Sequence, residues 1–106
     1  MSKKGEIKIN LELDENNVPD KLSWEASDAK QVGDCQAVII SIWDKKEQNT
    51  LKIDLWDKEF NTDQMKQFVH QNLMTLSETL ERATGEHEMG GEMREFAQYF
   101  KDRMGL

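Results

Sequence analysis

The chain has 106 residues, a length that fits a single domain over residues 1–106. Apolar residues make up 37% of it and charged residues 33%, and this apolar content is too high for a disordered chain. Its 21 acidic residues outnumber its 14 basic ones, so the net charge is −7. Because phosphates and anionic headgroups bind clustered Lys and Arg, this composition argues against nucleic acid and anionic lipid as partners.

The first residues of the chain predict no secretory signal, because Lys3 and Lys4 are followed by polar rather than apolar residues. No segment approaches the roughly 20 apolar residues of a membrane-spanning helix. Cys35 is the only cysteine, so no disulfide can form within the chain. We therefore expect a cytoplasmic protein with no membrane insertion.

Alternating apolar and polar residues predict four strands in the first part of the chain. The predicted strands span residues 6–13, 21–27, 36–43 and 50–57. Between them we expect a turn over 14–20, a polar loop over 28–34 and a turn over 44–49. Pairing Leu13 with Leu22, and Ile42 with Leu51, gives each of two hairpins one apolar face.

After residue 60 the apolar residues recur at helical spacing. The first helix is predicted to follow an N-cap at Asn61 or Thr62 and to end at Gly85, where a C′ glycine belongs. The second helix contains Gly90 and Gly91, each of which weakens it by roughly 1 kcal/mol relative to Ala.

The order of these elements defines the fold class. Strands come first and helices last, which is typical of an α+β fold. We expect one four-stranded antiparallel sheet made of two hairpins, with both C-terminal helices packed on one face, in the order ββββαα. The helices should cover the apolar face of the sheet, since neither layer is stable alone in water.

Few side chains have the surroundings that catalysis or metal binding requires. Cys35 lies at a strand entrance with no sequence cue for a base and is best explained as a packed thiol. His70 falls about 120° from the centre of the apolar stripe of its helix and is expected on the surface. His87, between Glu86 and Glu88, supplies too few ligands for zinc. We predict no enzyme activity, no cofactor and no metal, with an enzyme using Cys35 or His87 as the contrary hypothesis.

One feature of the predicted sheet indicates a protein-interaction surface. Ile39, Trp43 and Trp56 fall on the outer face of the third and fourth strands. Tryptophan is enriched in the hot spots of protein interfaces. The alternative is that the two tryptophans shield the sheet ends or pack under the 28–34 loop. Polar substitutions at Trp43 and Trp56 would separate these interpretations, because a surface role spares folding and a core role does not.

Three segments of the chain carry a family resemblance. They are ELDENNVP at 12–19 followed by SWEA at 23–26, IDLWDK at 53–58, and LERATGE at 80–86. Their order and spacing resemble the gliding-motility protein GldC family of Bacteroidota over nearly the whole chain. The resemblance implies a cytoplasmic accessory protein linked to gliding motility and its secretion machinery, with no assigned enzyme activity and no catalytic residues.

The predicted order of four strands and two helices also resembles the subunit of the export chaperone SecB, although a shared fold does not establish a shared function. We expect a non-catalytic adaptor that binds protein partners among gliding or secretion components, with a homo-oligomer left open. The alternatives are a SecB-like holdase for exported proteins and a small-ligand binding module. The latter would use a pocket between sheet and helices near Trp24 and Asn72.

Overall fold

The structure, a computed structural model, describes residues 3–27 and 31–106. Its elements are β1 (Ile7–Leu13), β2 (Pro19–Ala26), β3 (Gln31–Cys35), β4 (Ala37–Asp44), β5 (Asn49–Trp56), α1 (Thr62–Thr84) and α2 (His87–Met104). The strands belong to one compact unit, Met1–Phe60, and the helices to a second, Asn61–Leu106. The α+β class is confirmed, while a single domain and helices packed on a sheet face stay predictions.

The first hairpin forms with its strands two residues out of the predicted register. Leu11, not Leu13, pairs with Leu22, and Leu13 pairs with Pro19. The turn is tighter than expected, because Asp14 Oδ1 accepts hydrogen bonds from the backbone N–H groups of Asn16 at 2.8 Å and Val18 at 3.0 Å. Since side chains alternate with a period of two, the shift leaves the same apolar residues on the same face.

The predicted polar loop contains a strand. Residues 31–35 form β3, which pairs antiparallel with β2 and places Gly33 opposite Trp24 and Cys35 opposite Leu22. Residues 28–30 of that loop lie outside the described part of the chain. The prediction was wrong for residues 31–34, because the alternation that marks a strand is interrupted by Gly33 and Asp34.

The prediction of one four-stranded sheet is also wrong. The structure has a three-stranded sheet in the order β1-β2-β3 and a separate two-stranded sheet of β4 and β5. Gln36 separates β3 from β4, so one nearly continuous run of extended chain pairs first with β2 and then with β5. On β2 the ladder with β3 ends at Leu22, which pairs with Cys35, three residues after Pro19.

The second hairpin has the predicted register. Ile42 pairs with Leu51, Ile40 with Ile53, and Val38 with Leu55, so this part of the prediction is confirmed.

The boundaries of α1 follow from local chemistry, as predicted. The Asn61 side chain accepts a hydrogen bond from Gln64 N at 2.8 Å, and the Gln64 side chain accepts one from Asn61 N at 2.9 Å, which forms a capping box. Gly85 ends the helix at φ 77°, in the left-handed region that glycine adopts without strain.

Small residues form the seam between α1 and α2. Ser77 and Ala97 are completely buried, and Gly90 is buried as well. Side chains this small allow the backbones of two helices to approach closely. Ser77 keeps its hydroxyl satisfied by donating to the carbonyl of Met74 at 2.6 Å.

His70 also belongs to this helix pair. Its ring stacks on Phe100 with the centroids 6.4 Å apart, and the residue is only partly exposed. The prediction of a surface histidine is therefore wrong. His70 contacts α2 although it lies outside the apolar stripe of α1 on which the prediction was based.

None of the helices in the described part of the chain has the length and apolarity to cross a bilayer.

Candidate interaction surface

The three residues predicted as an interaction surface share one face of the β4–β5 hairpin. Residues 37, 39, 41 and 43 of β4 lie opposite residues 56, 54, 52 and 50 of β5. Trp43 is 66% exposed and Trp56 is 49% exposed, whereas Ile39 is partly buried. We call this side of the hairpin the tryptophan face.

The tryptophan face has two apolar ends and a polar centre. Trp43 pairs with Thr50 and Trp56 pairs with Ala37, so the two indoles lie at opposite ends of the hairpin. Six residues of strand separate these positions, which corresponds to about 20 Å. Between them Lys52 Nζ lies 3.6 Å from Asp54 Oδ2. The sequence placed the tryptophans on one face, and the confirmed register of the hairpin sets them at its two ends.

An aspartate directly after each tryptophan closes a turn. Asp44 Oδ2 accepts a hydrogen bond from Glu47 N at 2.6 Å. Asp57 Oδ1 accepts hydrogen bonds from the backbone N–H groups of Glu59 at 3.0 Å and Phe60 at 2.9 Å. The sequence Trp-Asp-Lys occurs at 43–45 and again at 56–58. This repetition has a structural basis, because each carboxylate holds the end of the strand that carries the preceding indole.

Asp57 anchors the base of the hairpin as well. The residue is 6% exposed, and its backbone N–H donates to the carbonyl of Gln36 at 2.9 Å. Lys58, the next residue, reaches the first sheet, with Nζ 3.1 Å from Asp14 Oδ2 and 3.6 Å from Asp20 Oδ1. The hydrogen bond with Asp14 and the Asp20 charge raise the pKa of Lys58, which keeps its ammonium charged.

The opposite side of the hairpin is aliphatic throughout, and we call it the aliphatic face. It consists of Val38, Ile40, Ile42, Leu51, Ile53 and Leu55. Ile42, Leu51 and Ile53 are each about half exposed, at 49%, 52% and 49%. The sequence pattern predicts that the helices cover these residues, and that packing stays a prediction. The half-exposed residues make this face a second candidate surface.

Cys35 lies in a setting that suppresses thiolate formation. Burial raises the pKa of the Cys35 thiol, and the negative charges of Asp34 and Asp57 raise it further. The thiol is therefore protonated at neutral pH and is a weak nucleophile. Within residues 3–27 and 31–106, no three His, Cys, Asp or Glu side chains are grouped so as to hold a metal ion.

The two residues proposed to line a small-ligand pocket have separate local roles. Asn72 Nδ2 donates to the carbonyl of Phe68 at 2.7 Å, one helical turn earlier. Trp24 borders a surface depression of about 350 Å³ whose other lining residues include Asn10, Ser23 and Asp34. The small-ligand alternative stays a prediction.

Comparison with known proteins relates the chain to a family of gliding motility-associated proteins. A family model described as "Gliding motility-associated protein GldC-like" matches residues 19–106, from the first residue of β2 to the last residue of the chain. No curated protein and no solved structure matches the chain at a significant level.

Proposed function

Because the chain belongs to the GldC-like family of gliding motility-associated proteins, we propose that it is a non-catalytic accessory protein of bacterial gliding that acts through protein–protein contacts. The observation that carries the proposal is the pair of exposed indoles, Trp43 and Trp56, on the tryptophan face. The proposed location of the protein is the cytoplasm. Its one cysteine is partly buried as a protonated thiol, which suits a reducing compartment.

Two properties of the tryptophan face support protein binding. Exposed tryptophans offer large apolar areas, and in interfaces they are over-represented among the residues that contribute most to affinity. The turns closed by Asp44 and Asp57 hold the strand ends in place, so less conformational entropy is lost when a partner binds. A fitting partner has two apolar pockets about 20 Å apart with polar groups between them.

The proposal is tested by complementation in a gliding host that lacks its own copy of the gene. We expect the double variant Trp43→Ser/Trp56→Ser to fold and accumulate but to restore little colony spreading. The matched control is Val32→Ser, since Val32 is 75% exposed on the other sheet and its loss removes apolar surface away from the tryptophan face. The control should spread like the wild type.

A second pair of substitutions separates binding from folding. Trp43→Phe/Trp56→Phe keeps an aromatic side chain at each position and should retain most of the spreading. Full spreading by the folded serine variant would overturn the proposal. A large loss of thermal stability in the serine variant would instead assign the two tryptophans to the core.

A holdase activity like that of SecB is the second candidate, and the half-exposed Ile42, Leu51 and Ile53 favour it. An unfolded client would bind through apolar contact with the aliphatic face. The test is whether the purified chain prevents aggregation of a chemically unfolded protein and whether Ile53→Ser weakens that effect more than Trp43→Ser. If the chain at stoichiometric concentration does not protect the unfolded protein from aggregation, the holdase alternative is wrong.

A further inference from the structure

The second helix of the chain carries apolar side chains that the helix pair covers only in part. The seam with α1 is made by small residues such as Gly90 and Ala97. Beside that seam, Met89 is 50% exposed, Phe96 54% and Tyr99 58%. The rings of Phe96 and Tyr99 are in contact, with centroids 5.9 Å apart, and form a continuous aromatic surface. This exposed stripe lies on the helical unit alone.

Two pairs of α2 residues are arranged symmetrically about one point in the C-terminal half of the helix. Phe96 and Tyr99 lie at equal distances on either side of the midpoint between Ala97 and Gln98. Glu92 and Arg103 lie at equal distances from the same midpoint. At 100° per residue, these two pairs fall within an arc of about 60° of the helix surface. A helix with such a pattern is complementary to a second copy of itself running in the opposite direction.

We propose that two copies of the chain associate through α2, packed antiparallel about a two-fold axis level with Ala97 and Gln98. In this arrangement Phe96 of each copy packs against Tyr99 of the other. Glu92 of each copy lies beside Arg103 of the other. The contact is isologous, so every pairing occurs twice and the assembly closes as a dimer.

The exposed side chains of the stripe supply most of the apolar area of an interface of ordinary size. Met89, Phe96 and Tyr99 are 50%, 54% and 58% exposed. With about 200 Å² for a large side chain, the three expose roughly 320 Å² of mainly apolar surface. A standard interface buries about 800 Å² per partner, of which about 57% is apolar, or roughly 450 Å². The three side chains therefore supply roughly 70% of the apolar area that one partner needs.

The charges identify a second copy as the occupant. In the described residues, neither Glu92 nor Arg103 takes part in an ion pair. Eleven residues of helix separate them, or about 16 Å along the axis, which is too far for a direct ion pair within one helix. Two copies that each carry a charge of −7 repel one another overall, so an interface between them needs local complementarity of this kind.

The inference rests on the helical unit and not on the proposed function of the tryptophan face, so either can fail without the other. The test begins with the mass of the full chain in solution, measured by sedimentation equilibrium or by light scattering over a range of concentrations. We expect a dimer at micromolar concentration. Phe96→Glu should shift the chain to monomer while helix content, measured by circular dichroism, is retained.

A charge swap tests the register of the two helices. Glu92→Arg alone places two positive charges together twice per dimer, and Arg103→Glu alone does the same with negative charges. Each should raise the dissociation constant by about tenfold at low salt. The double variant Glu92→Arg/Arg103→Glu should restore the wild-type constant, because the swapped charges again face each other. Lys101→Glu, at an exposed position on the opposite side of α2 from the stripe, is the matched control for a charge change without a facing partner.

The outcomes are decisive in either direction. Rescue by the double variant can arise only from contact between two chains, and it would establish the antiparallel register. A chain that stays monomeric at millimolar concentration would overturn the proposal and leave the stripe to a different protein. The proposal would also be overturned if Phe96→Glu left the dimer intact. The same holds if the double variant did not restore the dissociation constant that the single charge swaps raise.

Discussion

The indole of Trp24 lies directly over Gly33 on the neighbouring strand, with its Nε1 atom 2.8 Å from the place where a Cβ on Gly33 would stand. The two residues pair across β2 and β3. The aromatic ring covers a backbone that has no side chain of its own, which is a known way to compensate for glycine in a sheet. Gly33 is therefore required for space rather than for an unusual backbone conformation.

Substitution Gly33→Ala should destabilise the chain. The new methyl group cannot fit under the indole, and overpacking of this kind costs about 1–3 kcal/mol. Denaturant unfolding followed by tryptophan fluorescence measures the loss. Val32→Ala is the control at the adjacent, 75% exposed position, and it should change stability by no more than about 0.5 kcal/mol. Equal stability of Gly33→Ala and wild type would show that the indole moves freely away from the strand.

The two adjacent glycines of α2 should respond oppositely to Ala. A Cβ at Gly90 would collide with the carboxylate of Glu81, whereas the nearest atom to a Cβ at Gly91 is Arg94 Nη2, at 3.9 Å. Gly91→Ala should stabilise the chain by roughly 0.5–1 kcal/mol through helix propensity. Gly90→Ala should destabilise it by about 1–3 kcal/mol through overpacking. Thermal unfolding of both variants provides the comparison.

A double-mutant cycle tests the cause assigned to Gly90. In a Glu81→Ala background the collision is absent, so Gly90→Ala should lose most of its cost. Additive effects of the two substitutions would mean that Gly90 matters for another reason.

Local rules were sufficient where one residue decides the conformation. Asn61 and Gly85 could be assigned as the caps of α1 because each acts through its own side chain or its own φ angle. The register of β4 and β5 was predictable because both strands alternate without interruption. These features require no knowledge of distant parts of the chain.

Contacts between distant residues account for the failures. β3 was missed because Gly33 becomes a strand residue only under the indole of Trp24. The division into two sheets depends on the β2–β3 ladder ending at Leu22 and Cys35, a point that no local feature of either strand marks. His70 was misplaced because its position depends on Phe100, thirty residues later.

The cap of α1 provides a local test of stability. Asn61→Ala removes the acceptor of the Gln64 N–H group and leaves that donor without its side-chain partner, at a cost of about 0.5–2 kcal/mol. Asn61→Asp retains an acceptor and should be close to neutral or slightly stabilising, since a negative charge is favourable at a helix N-terminus. Denaturant midpoints of the two variants measure the difference. Equal destabilisation by Ala and Asp would contradict the role assigned to the cap.

The ion pair between α1 and α2 should make stability depend on pH. Glu81 forms an ion pair with Arg94, and Nδ1 of His87 lies 3.5 Å from Glu81 Oε2. The hydrogen bond from Arg94, followed by that from His87, holds the pKa of Glu81 below its ordinary value of 4.5, against the opposing effect of desolvation. A carboxyl group whose pKa is lower in the folded state stabilises that state above the ordinary value. This contribution disappears as the pH falls through the lowered pKa.

Glu81→Gln should therefore be less stable than wild type at pH 7, and the difference should shrink as the pH falls below 4.5. Urea unfolding at a series of pH values from 7 to below 3 measures the two curves. Glu78→Gln, at an exposed position one turn earlier in α1, is the control and should follow the wild-type curve. A Glu81→Gln deficit that is the same at every pH would show that packing, rather than charge, makes Glu81 important. In that case the ion pair with Arg94 would contribute nothing measurable to the association of the two helices.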